Sequence, residues 1–353
     1  MAELGQTTAS SYDPAKAVFY GQLVNAAYAM YDHHQSNPTP PPPKPPKTLP
    51  GNYRFVAWVQ MRDFIFESGD WTFYGLIAQN PSGANDYVLA IRGTSDPTEW
   101  WDDLTSMVPW PMEGFGGDVG YGFYRIYQTM RIIYPLHGQA LTEATPAGQG
   151  ESLETAGTFA DQVAEAVRRH AAESQPAAAP AAALKSVTVA AHSLGSALAT
   201  LYVADNSRTK KVATPLLCTF ASPRVGDYTF ATTFDGLGIP SWRIVNELDI
   251  VPKLPIFPFW HVQTEHLYNS GASTVWSLGC WHSIDTYLNL LDPKQPLLPS
   301  CVWPPKMVAA AGAPLRVQVQ PARGAAALTA SADQDIAIAA PAGTTINITI
   351  KVG

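Results

Sequence analysis

Lysine and arginine form no cluster anywhere in this chain. The 353 residues hold 22 lysines and arginines against 29 aspartates and glutamates, which gives a formal net charge of −7 at pH 7. Proteins that bind nucleic acid need clustered cations to displace the counterions of the phosphates. The charge pattern therefore excludes nucleic acid as a partner.

Long apolar runs are also missing. No run reaches the ~18 residues that span a bilayer, so we expect no transmembrane segment. The first residues, MAELGQTTASSYDP, have neither the basic start nor the apolar core of an ordinary secretory signal. We expect a cytoplasmic protein, or one that is secreted by another route or after removal of a signal.

Cysteine is rare, and the three cysteines cannot all pair within one chain, so the protein is not a disulfide scaffold. Cys218 lies in the apolar run PLLCTFASP and is expected to be a buried small side chain. A bridge between Cys280 and Cys301 would close a loop of about twenty residues and contribute roughly 3 kcal/mol. The sequence does not reveal the redox compartment, so this bridge stays an open question.

The N-terminal part is predicted to be a helix followed by an extended segment. Apolar residues recur at helical spacing from Asp13 to about Tyr31, with Asp13 as the N-cap and Pro14 at the first helical position. The stretch PTPPPPKPPKTLPG, 38–51, cannot pair inside a sheet and predicts a polyproline strap. We interpret it as a stiff connector rather than as a ligand for a proline-recognition module.

The central part alternates between strands and helices. From Tyr53, the short runs RFVAWVQM, TFYGLIAQN and DYVLAIRGT end in turn residues. A helix is predicted from Leu153 to about Ala172, and another from Gly195 to about Asp205, between apolar strands such as SVTVAAH, LLCTFASP and SWRIVN. The segment near Tyr228 to Phe234 is expected to be irregular. The pattern predicts an α/β fold with a mostly parallel central sheet and helices on both faces.

The C-terminal part has a different period. LRVQVQ, DIAIAA and TTINITIKV alternate apolar and polar residues, which predicts a small antiparallel β appendage. The sequon at Asn347 would matter only in a glycosylating host. Together with the 46% hydrophobic content, these patterns divide the chain into an N-terminal helix, a proline-rich strap, one large domain and a β-rich appendage, over 1–37, 38–51, 52–304 and 305–353.

The strongest chemical signal is the run VTVAAHSLGSALATLYVAD. It reads as a strand, a sharp turn at Ser193 and a helix, which is the arrangement of a nucleophile elbow. The positions two before and two after the serine must be small, because strand and helix crowd together there. They are Ala191, which replaces the usual glycine, and Gly195.

A serine nucleophile needs a base and an orienting carboxylate, and in this kind of sheet they follow in the order acid, then histidine. Asp249 comes directly after the apolar strand in IVNELDIVPKLP and is the predicted acid. Asp227 is the competitor, but we expect it to fix the turn in SPRVGD. His282 begins the amphipathic stretch HSIDTYLNLL and is the predicted base.

The other histidines near these motifs have different expected roles. His261 and His266 lie in FWHVQTEHLYNS, which looks like a connecting segment and a strand, so they are expected to be structural or to line the pocket. His192 adjoins the nucleophile but points away from it in a sharp turn. Its expected role is structural.

Hydrolysis through a tetrahedral intermediate needs hydrogen-bond donors for a negative oxygen, each worth roughly 3–4 kcal/mol. The backbone N–H of Leu194 is one predicted donor. Thr94, in the turn that ends DYVLAIRGT, is the other, through its N–H and its hydroxyl. The neighbouring Arg92 is expected to anchor the loop.

The stretch after this turn, DPTEWWDDLTSMVPWPMEGFGG, concentrates large apolar side chains near the expected mouth of the site. It is either a lid that turns its apolar face to lipid or outer-layer packing. We favour the lid, with transient contact to a lipid surface and with Trp100, Trp101 and Trp110 as candidate substrate-binding residues.

The chain resembles the class 3, fungal-type triacylglycerol lipases of the α/β-hydrolase fold. The resemblance rests on IRGT…EWWDDL, VGYGFYRIY, VTVAAHSLGSALA, FASPRVGD, VNELDIVPKLP and HSIDTYL, which occur in the family's order from about Tyr53 to Leu291. It implies Ser193 as nucleophile, Asp249 as acid and His282 as base, with an oxyanion hole formed by Thr94 and Leu194.

The expected activity is hydrolysis of acylglycerol esters through a serine acyl-enzyme, with no metal or organic cofactor. The alternatives are a phospholipase A1, a feruloyl or short-chain esterase, or a lipase-like binding protein without turnover. The last is disfavoured because every expected catalytic position is intact. Acyl chain length and oligomeric state stay open, and the resemblance does not extend to the strap and the appendage.

Overall fold

The computed structural model describes residues 11–36, 48–62, 71–83, 85–94, 104–136, 150–174, 185–262, 264–271 and 273–302, together with three strands near the C-terminus. Two compact units are present, Met1–Pro304 and Pro305–Gly353. Residues 38–47 of the predicted proline strap lie outside the described residues, as does the predicted strand DIAIAA.

The chain enters the fold through helix α1, Pro14–Ser36. An Asp13 carboxylate oxygen accepts hydrogen bonds from the backbone N–H groups of Ala15 and Lys16, at 3.0 and 3.2 Å. It satisfies two of the donors that every helix start leaves unpaired. The helix runs past the predicted end at Tyr31, and its buried apolar side chains pack against the central sheet.

A nine-stranded sheet forms the centre of the first unit, in the order β13-β11-β9-β8-β3-β2-β1-β6-β7. The strands on the β13 side, from β3 through β8, β9 and β11 to β13, pair in parallel. The strands on the other side pair antiparallel. The strands are β1 Arg54–Arg62, β2 Trp71–Gln79, β3 Asp86–Ile91, β6 Arg131–Pro135, β7 Gly150–Ser152, β8 Ser186–His192, β9 Leu217–Phe220, β11 Ser241–Asn246 and β13 Glu265–Tyr268.

Helices connect and cover these strands, which is the α/β-hydrolase fold predicted from the sequence. Helix packing buries a large apolar core on one face of the sheet and smaller clusters under α1 on the other. After α1 the helices are α2 Tyr121–Thr129, α3 Phe159–Ser174, α4 Leu194–Thr209, α5 Tyr228–Asp235, α6 Leu278–His282 and α7 Ile284–Leu291. Among the described residues, no helix combines the length and apolar character needed to cross a membrane.

Two small sheets complete the architecture. Four short strands in the order β12-β10-β5-β4 form a second sheet in the first unit. They are β4 Pro109–Pro111, β5 Asp118–Gly120, β10 Gly226–Asp227 and β12 Phe259–Trp260. In the second unit the backbones of β14 Arg316–Gln320, β15 Thr329–Ala330 and β16 Asn347–Lys351 pair antiparallel, with β14 in the middle.

Two local predictions were wrong. The segment near Tyr228 to Phe234 is helix α5 rather than irregular, because Asp227 caps it by accepting a hydrogen bond from Phe230 N at 2.7 Å. Aromatic and β-branched side chains have low helix propensity, but burial of Phe230 and Phe234 compensates. The helix predicted from Leu153 begins instead at Phe159, after a single 3₁₀ turn.

Candidate active site

Ser193 occupies the sharp turn between β8 and α4, with φ 55° and ψ −129°. A non-glycine residue adopts positive φ only where the surrounding structure enforces it. Here the backbone N–H of Ser193 donates to the Phe220 carbonyl at 2.9 Å. A Cβ on Gly195 would lie 2.3 Å from the carbonyl oxygen of Arg92, so only glycine fits there. At the other small position, Ala191 lies inside β8 without disrupting its pairing with β3 and β9.

The structure brings Ser193, His282 and Asp249 into one hydrogen-bonded chain. Ser193 Oγ lies 2.7 Å from His282 Nε2, and His282 Nδ1 lies 2.7 Å from Asp249 Oδ2. All three side chains are buried. The serine can donate its proton to the imidazole, while the carboxylate fixes the tautomer that leaves Nε2 as the acceptor.

Asp249 is held by donors on both carboxylate oxygens. The backbone N–H of Val251 donates to Oδ1 at 3.0 Å, and Tyr287 OH donates to Oδ2 at 2.8 Å. A buried carboxylate is tolerated only when hydrogen bonds replace its hydration. Tyr287 lies on α7, and sequence reasoning missed it, because it meets Asp249 across 38 residues and no spacing marks the two as partners.

His282 is the last residue of α6 and is followed by the start of α7. Cys280 is joined to Cys301 by a disulfide two residues before it, which answers the question that the sequence left open. The hydroxyl of Thr286 donates to the Cys280 carbonyl at 2.6 Å. These bonds fix the backbone that carries the imidazole. Cys218 is buried and free, as expected.

The turn after β3 lies beside the nucleophile. A Cβ on Gly93 would lie 2.6 Å from Ser193 Cβ, so the glycine permits this close approach. The next residue, Thr94, is buried, and its hydroxyl has no hydrogen-bond partner among the residues that the structure describes. Leu194 is the first residue of α4, where the backbone N–H has no acceptor within the helix. The turn and the helix start together offer donors for an anionic oxygen.

Arg92 anchors the same turn from below. Its guanidinium donates to the carbonyls of Gly93 and Phe73, at 2.6 and 3.1 Å, and lies 3.6 Å from the ring centre of Tyr31. The arginine is almost completely buried. It therefore supports the loop and does not reach the reacting groups.

His261 and His266 take no part in the hydrogen bonds that join Ser193, His282 and Asp249. His261 Nε2 lies 2.6 Å from the carbonyl oxygen of Pro252, and burial together with nearby arginines lowers its pKa to about 3. His266 lies on β13 and stacks against Tyr12 at 3.6 Å. Asp227 caps α5 and is likewise not part of the triad.

The structure describes only part of the proposed lid segment. Trp100 and Trp101 lie outside the described residues. Trp110 lies on β4, where it is 48% exposed and contacts the ring of Tyr121 at 5.0 Å.

Residues 88–259 match the family described as Lipase (class 3). The matched range includes Thr94, Ser193, Leu194 and Asp249 but ends before His282, which its hydrogen bonds to Ser193 and Asp249 place in the site.

Among the curated relatives is Phospholipase A1-II 4 of Oryza sativa subsp. japonica, 29% identical over 242 residues, which cover 62% of this chain and 54% of that protein. Phospholipase A1-II 6 of the same plant is 26% identical, with 76% and 73% covered. Phospholipase A(1) DAD1, chloroplastic, of Arabidopsis thaliana is 26% identical, with 67% and 54% covered. The chain thus spans about half the length of the first and third of these relatives.

One similar solved structure is the native propeptide complex of Rhizomucor miehei lipase, with a TM-score of 0.47, 23% identity, and 80% of each chain covered. Another is described as a serine protease triad forming the catalytic centre of a triacylglycerol lipase. Its TM-score is 0.48 and its identity 23%, over 74% of this chain and 82% of that one.

Proposed function

We propose that this chain, which belongs to the class 3 lipase family, hydrolyses acylglycerol esters through an acyl-enzyme on Ser193. The observation that carries the proposal is the buried chain of two 2.7 Å hydrogen bonds from Ser193 through His282 to Asp249. Such a chain turns a weak hydroxyl nucleophile into a reactive one at neutral pH.

In this mechanism His282 Nε2 takes the proton of Ser193 as Oγ attacks the ester carbonyl carbon. The resulting oxyanion accepts hydrogen bonds from Leu194 N–H and from Thr94. The imidazolium then protonates the departing alcohol. A water molecule, deprotonated by the same imidazole, attacks the acyl-enzyme and releases the fatty acid while Ser193 recovers its proton. Asp249 holds the imidazole through its hydrogen bond to Nδ1 and stabilises the imidazolium.

The orphaned hydroxyl of Thr94 supports the same mechanism. A buried polar atom without a partner destabilises the free protein by about 1–3 kcal/mol. The penalty disappears when a substrate oxygen supplies the missing acceptor. Thr94 is therefore an oxyanion donor that is already in place before the substrate binds.

A hydrolysis panel tests the proposal. Purified protein is assayed on p-nitrophenyl esters, triglyceride emulsion, phosphatidylcholine and methyl ferulate, with Ser193→Ala as the inactive control. We expect glyceride hydrolysis by the wild type alone. If no ester is hydrolysed faster by the wild type than by Ser193→Ala, the chain is a lipase-like binding protein.

Phospholipase A1 activity is the second candidate, and the names of the curated relatives favour it. Phosphatidylcholine carries the same kind of acyl ester on glycerol, so the chemistry at Ser193 would be unchanged. The two candidates differ in whether the site accepts a charged headgroup. A higher kcat/KM on phosphatidylcholine than on triglyceride would favour the phospholipase.

We also propose that the enzyme contacts the surface of its lipid substrate. Beyond Asp249, Ile256 and Phe257 project outward, with Phe257 83% exposed. In the second sheet Trp260 pairs with Gly226, Gly226 with Val119, and Val119 with Trp110. Trp260 on β12 and Trp110 on β4 therefore lie in one row across this sheet.

Both of these tryptophans are about half exposed, at 49% and 48%. Tryptophan favours the boundary between lipid and water. We define Trp110, Ile256, Phe257 and Trp260 as the apolar rim. Contact between the rim and lipid would add to contact made by the proposed lid, which includes Trp100 and Trp101.

A further inference from the structure

A chain of hydrogen bonds joins helix α1 to the turn that carries Thr94. The hydroxyl of Tyr28, on α1, accepts a hydrogen bond from the backbone N–H of Gly93 at 2.8 Å. The same hydroxyl lies 2.8 Å from His192 Nδ1. The next residue after His192 is the nucleophile, so the hydroxyl stands between the oxyanion turn and the elbow.

The chain continues to the base. His192 Nε2 lies 2.8 Å from the backbone carbonyl oxygen of His282, and the two imidazole rings lie 4.8 Å apart, centre to centre. His192 is buried. One imidazole therefore connects the N-terminal helix to the backbone of the residue whose side chain contacts Ser193.

The partners determine which nitrogen of His192 carries the proton. A carbonyl oxygen only accepts, so Nε2 must donate to His282. The Tyr28 oxygen already accepts from the Gly93 N–H, which leaves its O–H to donate to Nδ1. Every partner is satisfied only when His192 is the neutral tautomer protonated at Nε2. Burial, and then the neighbouring His282, lower the pKa of His192 well below its ordinary value, which agrees with a neutral ring.

We propose that Tyr28 and His192 are positioning residues, in which the Tyr28 hydroxyl holds His192 in the Nε2–H tautomer and His192 holds the backbone of His282. The inference rests on the proposed function of Ser193, and it adds a helix that lies outside the matched range 88–259. Thr94, Ser193 and His282 are thereby kept in register by one set of bonds.

The hydrogen bonds of Tyr28 and His192 matter because catalysis needs the reacting groups at fixed positions. Displacing a catalytic group by about 1 Å can lower turnover on the order of 100-fold. Without the Tyr28 hydroxyl, Nδ1 loses its donor, and the ring can take the other tautomer, which has no hydrogen to offer the His282 carbonyl. The base and the oxyanion turn would then lose a common support while substrate contacts persist.

Tyr28→Phe is the primary test, and Tyr20→Phe is its matched control. Tyr20 lies on the same helix, and its hydroxyl bonds Thr188 on β8, the strand that also carries His192. Both variants lose one hydroxyl between the same two elements. On a soluble p-nitrophenyl ester we expect Tyr28→Phe to lower kcat roughly 10- to 100-fold with little change in KM, while Tyr20→Phe stays within about twofold of wild type.

A second set of variants tests the role of His192. His192→Gln keeps an N–H donor that can reach the His282 carbonyl, whereas His192→Leu keeps none. We expect the glutamine variant to recover most of the activity that the leucine variant loses. Tyr28→Phe combined with His192→Leu should lose less than the product of the two separate losses, because both changes break one chain.

The tautomer has a readout that does not depend on activity. Nitrogen-15 NMR of imidazole-labelled wild-type protein should show His192 neutral and protonated at Nε2, and Tyr28→Phe should alter that signal. A His192 protonated at Nδ1 in the wild type, or equal kcat values for Tyr28→Phe and Tyr20→Phe, would overturn the inference. If the wild type hydrolyses no ester, the proposed function fails, but the NMR measurement still tests the inference about His192. If Tyr28→Phe does not fold, the NMR measurement on the wild type again decides the inference.

Discussion

Tyr287 and His282 bind the same oxygen of Asp249, at 2.8 and 2.7 Å. The hydroxyl of Tyr287 also accepts the backbone N–H of Asn246 at 3.1 Å, at the end of β11. The phenol therefore fixes the carboxylate relative to the strand that delivers it. In this position Tyr287 supports the orientation of the imidazole without touching the substrate.

Tyr287→Phe should lower both stability and turnover. Removing a hydrogen bond to a buried carboxylate destabilises the fold by about 1.5–3 kcal/mol, and looser orientation of Asp249 should reduce kcat roughly 10-fold. The measurements are urea unfolding and steady-state hydrolysis of a soluble ester. Tyr268→Phe is the control, since its hydroxyl bonds Tyr12 instead. Unchanged kcat in Tyr287→Phe would show that Asp249 is held well enough by Val251 and His282.

Ser193→Ala should leave the fold intact and lower ester turnover roughly 10⁴- to 10⁶-fold, because the triad acts as a unit. His282→Ala should have a similar effect. His261→Ala should retain activity, since His261 contacts Pro252 rather than Ser193. Circular dichroism checks that each variant is folded. A severe loss in His261→Ala together with a mild one in His282→Ala would mean that the base is misassigned.

Thr94→Val should separate catalysis from stability. Valine has nearly the same shape but lacks the hydroxyl, so we expect kcat to fall about 100- to 1000-fold. The melting temperature should not fall, because the hydroxyl has no partner within the described part of the chain. Thr94→Ser should retain most of the activity. If Thr94→Val is as active as wild type, backbone N–H groups alone stabilise the oxyanion.

The features that sequence reasoning could reach are those with a local signature. A strand, a turn with small flanking residues and a helix identify the elbow at Ser193 from a single short run. The positions of Asp249 and His282 follow from their order after it. The α/β pattern also appears directly in the alternation of strands and helices.

Other features depend on contacts between distant parts of the chain. Tyr287 acts on Asp249 across 38 residues, and Tyr28 acts on His192 across 164. Neither partner has a spacing that could be detected in one sequence. Helix α5 was missed for a different reason: its aromatic and threonine-rich run has weak helix propensity, and tertiary burial outweighs that preference.

Removal of the Cys280–Cys301 disulfide should destabilise the first unit and, through His282, weaken the site. The bridge closes a loop with a sequence separation of 21, for which loop entropy predicts about 3 kcal/mol. The double variant Cys280→Ser with Cys301→Ser should therefore unfold at a lower denaturant concentration and show a reduced kcat. Cys218→Ser is the control, because it removes a cysteine without removing a disulfide. Equal unfolding midpoints for the double variant and wild type would show that the packing around α6 is sufficient without the bridge.

The last prediction separates the apolar rim from the proposed lid. Each large apolar side chain that becomes buried at a lipid surface contributes roughly 1.5–3 kcal/mol. Activity per enzyme should therefore rise when a glyceride passes from dissolved monomer to emulsion. Phe257→Ser with Trp260→Ser removes half of the rim, and Trp100→Ser with Trp101→Ser changes the lid segment.

Both pairs of substitutions should reduce this rise more than they reduce turnover of a soluble short ester, because a lost surface contact does not alter the triad. A lid that also covers the site has a second effect. Its variants should raise activity on dissolved substrate, since the closed state loses its apolar seal, whereas the rim variants should not. A rate that follows dissolved substrate smoothly through the solubility limit, unaffected by either pair, would mean that these side chains make no contact with lipid and that the site is permanently open.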